Sequence, residues 1–194
     1  AGAPKRSTSA YHPAFDIEIN WRTQGVTKDY SRTLDFTTGV VAVDWTENGF
    51  AGRRELFVSR KDGLIVMKLE SELALDVDIG LVVHGVESIA MDGDGHPVGR
   101  SDLDVPSFDS VPIDYRHDSD GESMAWIIGT YQNGEEYGGV ARMIAPAGVV
   151  NCWDSGFSVS GGNSALLLVK LFAKEPASDG VARCREALSD KEIP

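Results

Sequence analysis

Only two cysteines, Cys152 and Cys184, occur among the 194 residues. That is too few for a disulfide framework, although the terminal segment carrying Cys184 could fold back on the strand holding Cys152. No apolar run approaches the roughly 18 residues a membrane-spanning helix requires, the longest being Ala165-Leu166-Leu167-Leu168-Val169. A transmembrane helix is excluded, and no membrane partner is expected. Basic residues are scarce: 18 Lys and Arg against 30 Asp and Glu give a net charge of -12. Such a chain repels polyphosphate unless its bases are segregated, and they are not, so direct nucleic-acid contact is not expected. Lys5-Arg6 is too short a basic cluster to package a polyanion. The four histidines (His12, His84, His96 and His117) are scattered, and no His or Cys pair has zinc-ligand spacing. Neither a structural zinc nor a cofactor is expected.

What the chain does contain is 42% hydrophobic residues with a dominant period of two. Phe15, Ile17, Ile19 and Trp21 alternate with Asp16, Glu18 and Asn20, and Val41, Val43 and Trp45 alternate with Ala42, Asp44 and Thr46, as half-buried antiparallel strands require. The longest alternation runs from Leu73 to Val83 and predicts a strand of about eleven residues. Further strands are predicted at 55–60, 64–70, 111–115, 123–131, 138–145 and 164–173. Breakers such as Glu47-Asn48-Gly49, Lys61-Asp62-Gly63 and Gln132-Asn133-Gly134 supply tight turns between them. So many strands must cover one another's apolar faces, which predicts an all-β antiparallel sandwich. Helix is confined to one candidate, starting near Asp179 and running through Cys184 to Leu188. The expected organisation is an N-terminal arm over 1–13, a sandwich domain over 14–175 and a C-terminal arm or short helix over 176–194. The opening Ala1-Gly2-Ala3-Pro4, with no initiator Met and no apolar leader, fits a product released by a signal peptidase or from a polyprotein.

Several constellations invite chemistry. Asp154-Ser155-Gly156 matches the nucleophile loop of trypsin-like proteases, and His84, Asp102 and Ser155 follow that family's order. The oxyanion hole is not supported, because Trp153 stands where that family places glycine. Asp76 with Asp78, and Glu135 with Glu136, are paired carboxylates that strand alternation and turn composition already explain. Asp92-Gly93-Asp94-Gly95 opens like a calcium loop but continues with His96-Pro97 where an oxygen donor and a turn glycine are needed. The stretch from Asp92 to Glu122 carries nine acids against Arg100 and Arg116, which predicts an exposed acidic loop able to hold a divalent cation. Of the four tryptophans, Trp21, Trp45 and Trp126 are in phase with core residues. Trp153 is the candidate for a sugar-stacking platform.

A Gly-led strand, Gly63-Leu64-Ile65-Val66-Met67-Lys68-Leu69, the long Leu73–Val83 strand, an irregular region ending at Val111-Pro112-Ile113-Asp114-Tyr115, and a last strand from Asn163 to Ala173 together resemble the small jelly-roll coat proteins of picornavirus-like, secovirus-type particles. The resemblance implies a jelly-roll fold with extended N- and C-terminal arms. It further implies a structural capsid subunit of a non-enveloped icosahedral virus, located in the virion and partnered by other coat-protein subunits, with no enzymatic activity. It assigns no catalytic, cofactor-binding or metal-ligating residue. Lys61-Asp62-Gly63 points the other way, reading as a hairpin between neighbours of one sheet where successive jelly-roll strands cross to the opposite sheet. The alternative is a secreted carbohydrate-binding β-sandwich, with Trp153 and the acidic loop as its site and calcium as a possible ligand; a trypsin-like protease stands third.

Overall fold

The structure, a computed structural model, describes residues 14–22, 25–82, 113–131 and 133–189. Its elements are β1 (Asp16–Trp21), β2 (Thr27–Asp35), β3 (Val40–Glu47), β4 (Phe50–Ser59), β5 (Leu64–Ser71), β6 (Asp76–Val82), β7 (Ile113–Ser119), β8 (Met124–Tyr131), β9 (Glu136–Ile144), β10 (Val149–Trp153), β11 (Gly156–Ser160), β12 (Ser164–Ala173) and α1 (Ala177–Ser189). A small sheet of four strands has the order β1-β6-β11-β10, and a large sheet of eight has the order β2-β3-β4-β5-β12-β9-β8-β7. The antiparallel sandwich is the one the alternation requires.

The main core lies between the sheets. Val77, Ile79, Leu81, Phe157 and Val159 of the small sheet pack with Met67, Leu69, Ile127, Met143 and Leu167 of the large one. Because side chains alternate, the opposite face of the large sheet is apolar as well. Trp126, Val140, Leu168 and Phe172 are covered there by Ala177, Cys184 and Leu188 of α1, so the segment expected as a C-terminal arm or short helix is a helix that forms a third layer. Gly180 lies at the end of the first turn of α1, where a Cβ would fall 2.4 Å from the Phe172 ring, so close packing selects a residue that otherwise costs helix stability. Asp179 falls in the helix's first turn, and Glu136 Oε2 caps the start by accepting the Ala177 N–H at 2.6 Å.

The jelly-roll order does not hold. Strands β2, β3, β4 and β5 follow one another as neighbours within the large sheet. The turn at Lys61-Asp62-Gly63 shows why: Gly63 adopts φ +62°, its N–H donates to Ser59 O at 2.8 Å, and Lys170 Nζ holds Asp62 O at 2.6 Å. A loop this short returns the chain to the adjacent ladder and leaves no span for a crossover. The long strand is also shorter than its alternation suggests. Leu75 is buried in the expected phase, but it bonds Gly161 and Gly162 outside the ladder, and pairing begins at Asp76. The N-terminal arm lies outside the described residues, as does 92–112 of the acidic stretch. The described end of that stretch is not loop but strand β7 up to Ser119.

Candidate functional site on the small sheet

The β10–β11 hairpin builds the site. Val150, Cys152, Phe157 and Val159 face the core, so alternation turns Asn151, Trp153, Ser158 and Ser160 outward. Cross-strand register then sets two parallel rows across the exposed face. In one, Trp153 lies opposite Gly156, Gly156 opposite Gly80, and Gly80 opposite Glu18. In the next, the succession is Asn151, Ser158, Asp78 and Asn20. Gly156 is dictated by packing, since a Cβ would fall 2.1 Å from Ile79 O.

Trp153 is 40% exposed, and its indole N–H donates to Ser155 Oγ at 3.1 Å. The other tryptophans are packed: Trp21 and Trp45 meet edge to face at 4.9 Å, and Trp126 lies beneath the Arg185 guanidinium. Asn151 Nδ2 donates to Ser158 Oγ at 3.3 Å. Arg22 grips Asp78 through Nε at 2.8 Å and reaches Asp76 through Nη1 at 3.1 Å.

Among the described residues, neither carboxylate pair singled out for catalysis is arranged for it. Asp76 and Asp78 share one guanidinium on one side of an open sheet, whereas glycoside cleavage needs two carboxyl groups flanking the scissile bond. Glu135 and Glu136 border a hollow of about 450 Å³ with Lys174 and Glu175, but their carboxylates are engaged structurally. Glu136 caps α1 and pairs with Arg116 at 2.8 Å, Glu175 pairs with Arg183, and Glu135 accepts the Asn133 amide at 3.1 Å. Ser155 occupies a hairpin turn as the acceptor for Trp153, while His84 and Asp102 lie outside the described residues. Both cysteines are free. Cys152 faces the inter-sheet core and Cys184 lies in the helix layer, on opposite faces of the large sheet. Burial, together with the Asp120 and Asp154 charges, pushes the Cys152 thiol up to about 11, which makes it a poor nucleophile.

Asp120, at the end of the acidic stretch, organises the turn into β8. Its Oδ1 accepts the N–H groups of Glu122 at 2.9 Å, Ser123 at 3.0 Å and Met124 at 2.9 Å. Burial pushes its carboxyl up, but these three donors and the Arg185 charge outweigh that and hold it below the usual range. Replacing Asp120 with alanine should therefore cost roughly 1–3 kcal/mol at neutral pH. The stabilisation is present above the unfolded-state value and lost as pH falls through the folded one, so the variant's deficit in urea unfolding should shrink in acid. A deficit independent of pH would contradict this role.

Among the described residues, fold and site define a β-sandwich whose small sheet turns a polar face outward. Among known families, glycosyl hydrolase family 65, N-terminal domain, matches residues 2–173, and the chain belongs to that family. No curated protein matches it. The family is a sandwich domain of glycoside hydrolases and is itself non-catalytic. This membership overturns the coat-protein resemblance, and with it the capsid role and the shell of coat-protein partners. The strand alternation that suggested a coat protein is common to β-sandwiches of many functions and specifies none of them. The carbohydrate-binding alternative fits the family better. Trp153 was legible as a platform candidate, but the Asn151, Ser158 and Asn20 row was not. The alternation of Val150 with Cys152 and of Phe157 with Val159 around an Asp-Ser turn was the available signal.

Proposed function

We propose that this chain is a non-catalytic domain of a carbohydrate-active enzyme, contacting saccharide while bond cleavage belongs to a catalytic domain. The observation that carries this reading is the family match across residues 2–173. The open, polar outer face of the small sheet supports it, since a flat face admits part of a long chain that a closed pocket would reject. Two assays on the purified chain test it. In native gels containing soluble α-glucan, β-glucan, xylan or galactan, migration should be retarded by at least one polymer, and the same protein should release no reducing sugar from any of them. Release of sugar by the chain alone, or unchanged migration in every gel, would contradict the proposal.

A further inference from the structure

We infer that the outer face of the small sheet carries a subsite for a neutral pyranose, with the Trp153 indole as its wall, Gly156 and Gly80 as its floor, and the Asn151, Ser158, Asp78 and Asn20 row as its hydroxyl contacts. This rests on the proposed carbohydrate role and locates it.

The first observation is the fixed indole. Its N–H is satisfied within its own hairpin by Ser155 Oγ, so a ring face can meet a ligand without leaving a polar group unpaired. The two-residue turn holds it with little conformational entropy to lose. The second is the floor. Two glycines in register on adjacent strands leave the face beside the indole without side chains, on a span of three interstrand spacings, roughly 14 Å, between the Trp153 and Glu18 strands. Gly156 is demanded by the Ile79 carbonyl. At Gly80 the contacts are looser: a Cβ there would meet only Val82 Cγ2 at 3.3 Å and Glu18 Cβ at 4.0 Å.

The third observation is the chemistry of the adjoining row. It presents an amide, a hydroxyl, a carboxylate braced by Arg22, and a second amide. That is a mixture of donors and acceptors suited to vicinal hydroxyls, each of which donates and accepts. A pyranose has an apolar C–H face for the indole and an equatorial rim of hydroxyls for this row. Asp16, Glu18, Asp76 and Asp78 point outward from β1 and β6 and outnumber Arg22, so the face disfavours uronates and sulfated sugars.

The test is titration of the whole chain with maltohexaose, cellohexaose and xylohexaose, followed by calorimetry and tryptophan emission, in wild type and in the Trp153→Ala, Asn151→Ala and Gly80→Thr variants. At least one neutral hexaose should bind and change the emission. Trp153→Ala should weaken affinity roughly tenfold or more and abolish the emission change. Gly80→Thr, which fills the floor with a residue favoured in strands, should weaken binding while retaining the wild-type unfolding transition. The proposal would be overturned if wild type binds but Trp153→Ala binds equally well, and the carbohydrate role would then survive at another surface. Failure of wild type to bind any hexaose would overturn the subsite, whereas the carbohydrate role falls only if every polymer gel also leaves migration unchanged. Should Gly80→Thr fail to fold, the exposed Trp153 and Asn151 positions still decide the outcome. Tighter binding of an oligoglucuronate than of the neutral sugars would overturn the specificity.

Discussion

Replacement of Phe157 with alanine should destabilise the chain by about 3–5 kcal/mol, the range for deleting a fully buried phenylalanine whose cavity cannot collapse. Phe157 is fully buried on β11, paired in register with Ile79 on one side and Cys152 on the other. It is flanked by strands on both sides and faces the large sheet, so its neighbours have little room to close the void. Native domains typically hold only about 5–15 kcal/mol in total, so the variant should sit close to its unfolding threshold. Equilibrium urea unfolding should show a lower midpoint with an unchanged slope. A loss below about 1 kcal/mol would mean that the two sheets are not packed as described.

The second large effect is expected on the other face. Trp126 is 8% exposed, and the Arg185 guanidinium of α1 lies 5.0 Å from its ring centroid. It belongs to the cluster that joins Val140, Leu168 and Phe172 to Cys184 and Leu188. Trp126→Ala should cost about 3–5 kcal/mol as well. Because the large sheet serves both apolar layers, that loss should appear in the same cooperative transition as the loss at Phe157, with circular dichroism and fluorescence moving together. If α1 were a loose arm, Trp126→Ala would instead melt the helix alone and leave the sheet transition in place.

How much of this was legible depended on whether each element buries one face. Strand β12 was read at its observed bounds, and β5, β8 and β9 within two residues, because apolar runs bounded by breakers mark strands buried on one or both faces; in β3 the phase was misread at one pair, since Ala42 is buried and Val41 exposed. Strand β2 was missed for the opposite reason. All nine of its side chains are exposed at the sheet edge, and its register shifts between Lys28 and Ser31, where Asp29 adopts φ 51°. Of the β10–β11 hairpin only a strand holding Cys152 was read, without bounds or a partner, although Val150, Cys152, Phe157 and Val159 all face inward, since five-residue strands around Asp-Ser-Gly invite a reading as catalytic loop.

Sheet order was beyond reach for a different reason. Strand β12 inserts between β5 and β9, and Leu167 pairs with Met67, a contact no local pattern encodes. The helix was visible in the spacing of Cys184 and Leu188, but its role as a covering layer was not, because that depends on the large sheet being apolar on both faces. The Trp153 site was half legible. An exposed tryptophan can be suspected from composition, whereas the glycine floor and the polar row exist only once register sets residues of β1, β6, β10 and β11 side by side.

The most direct test of the central claim is a map of backbone amide shifts in the isotopically labelled chain during titration with a neutral hexaose that it binds. Shifts concentrated at Trp153, Gly156, Gly80, Ser158 and Asn20, with α1 and the core of the large sheet unmoved, are the predicted result. Shifts confined to any other surface, or none at saturating sugar, would contradict it.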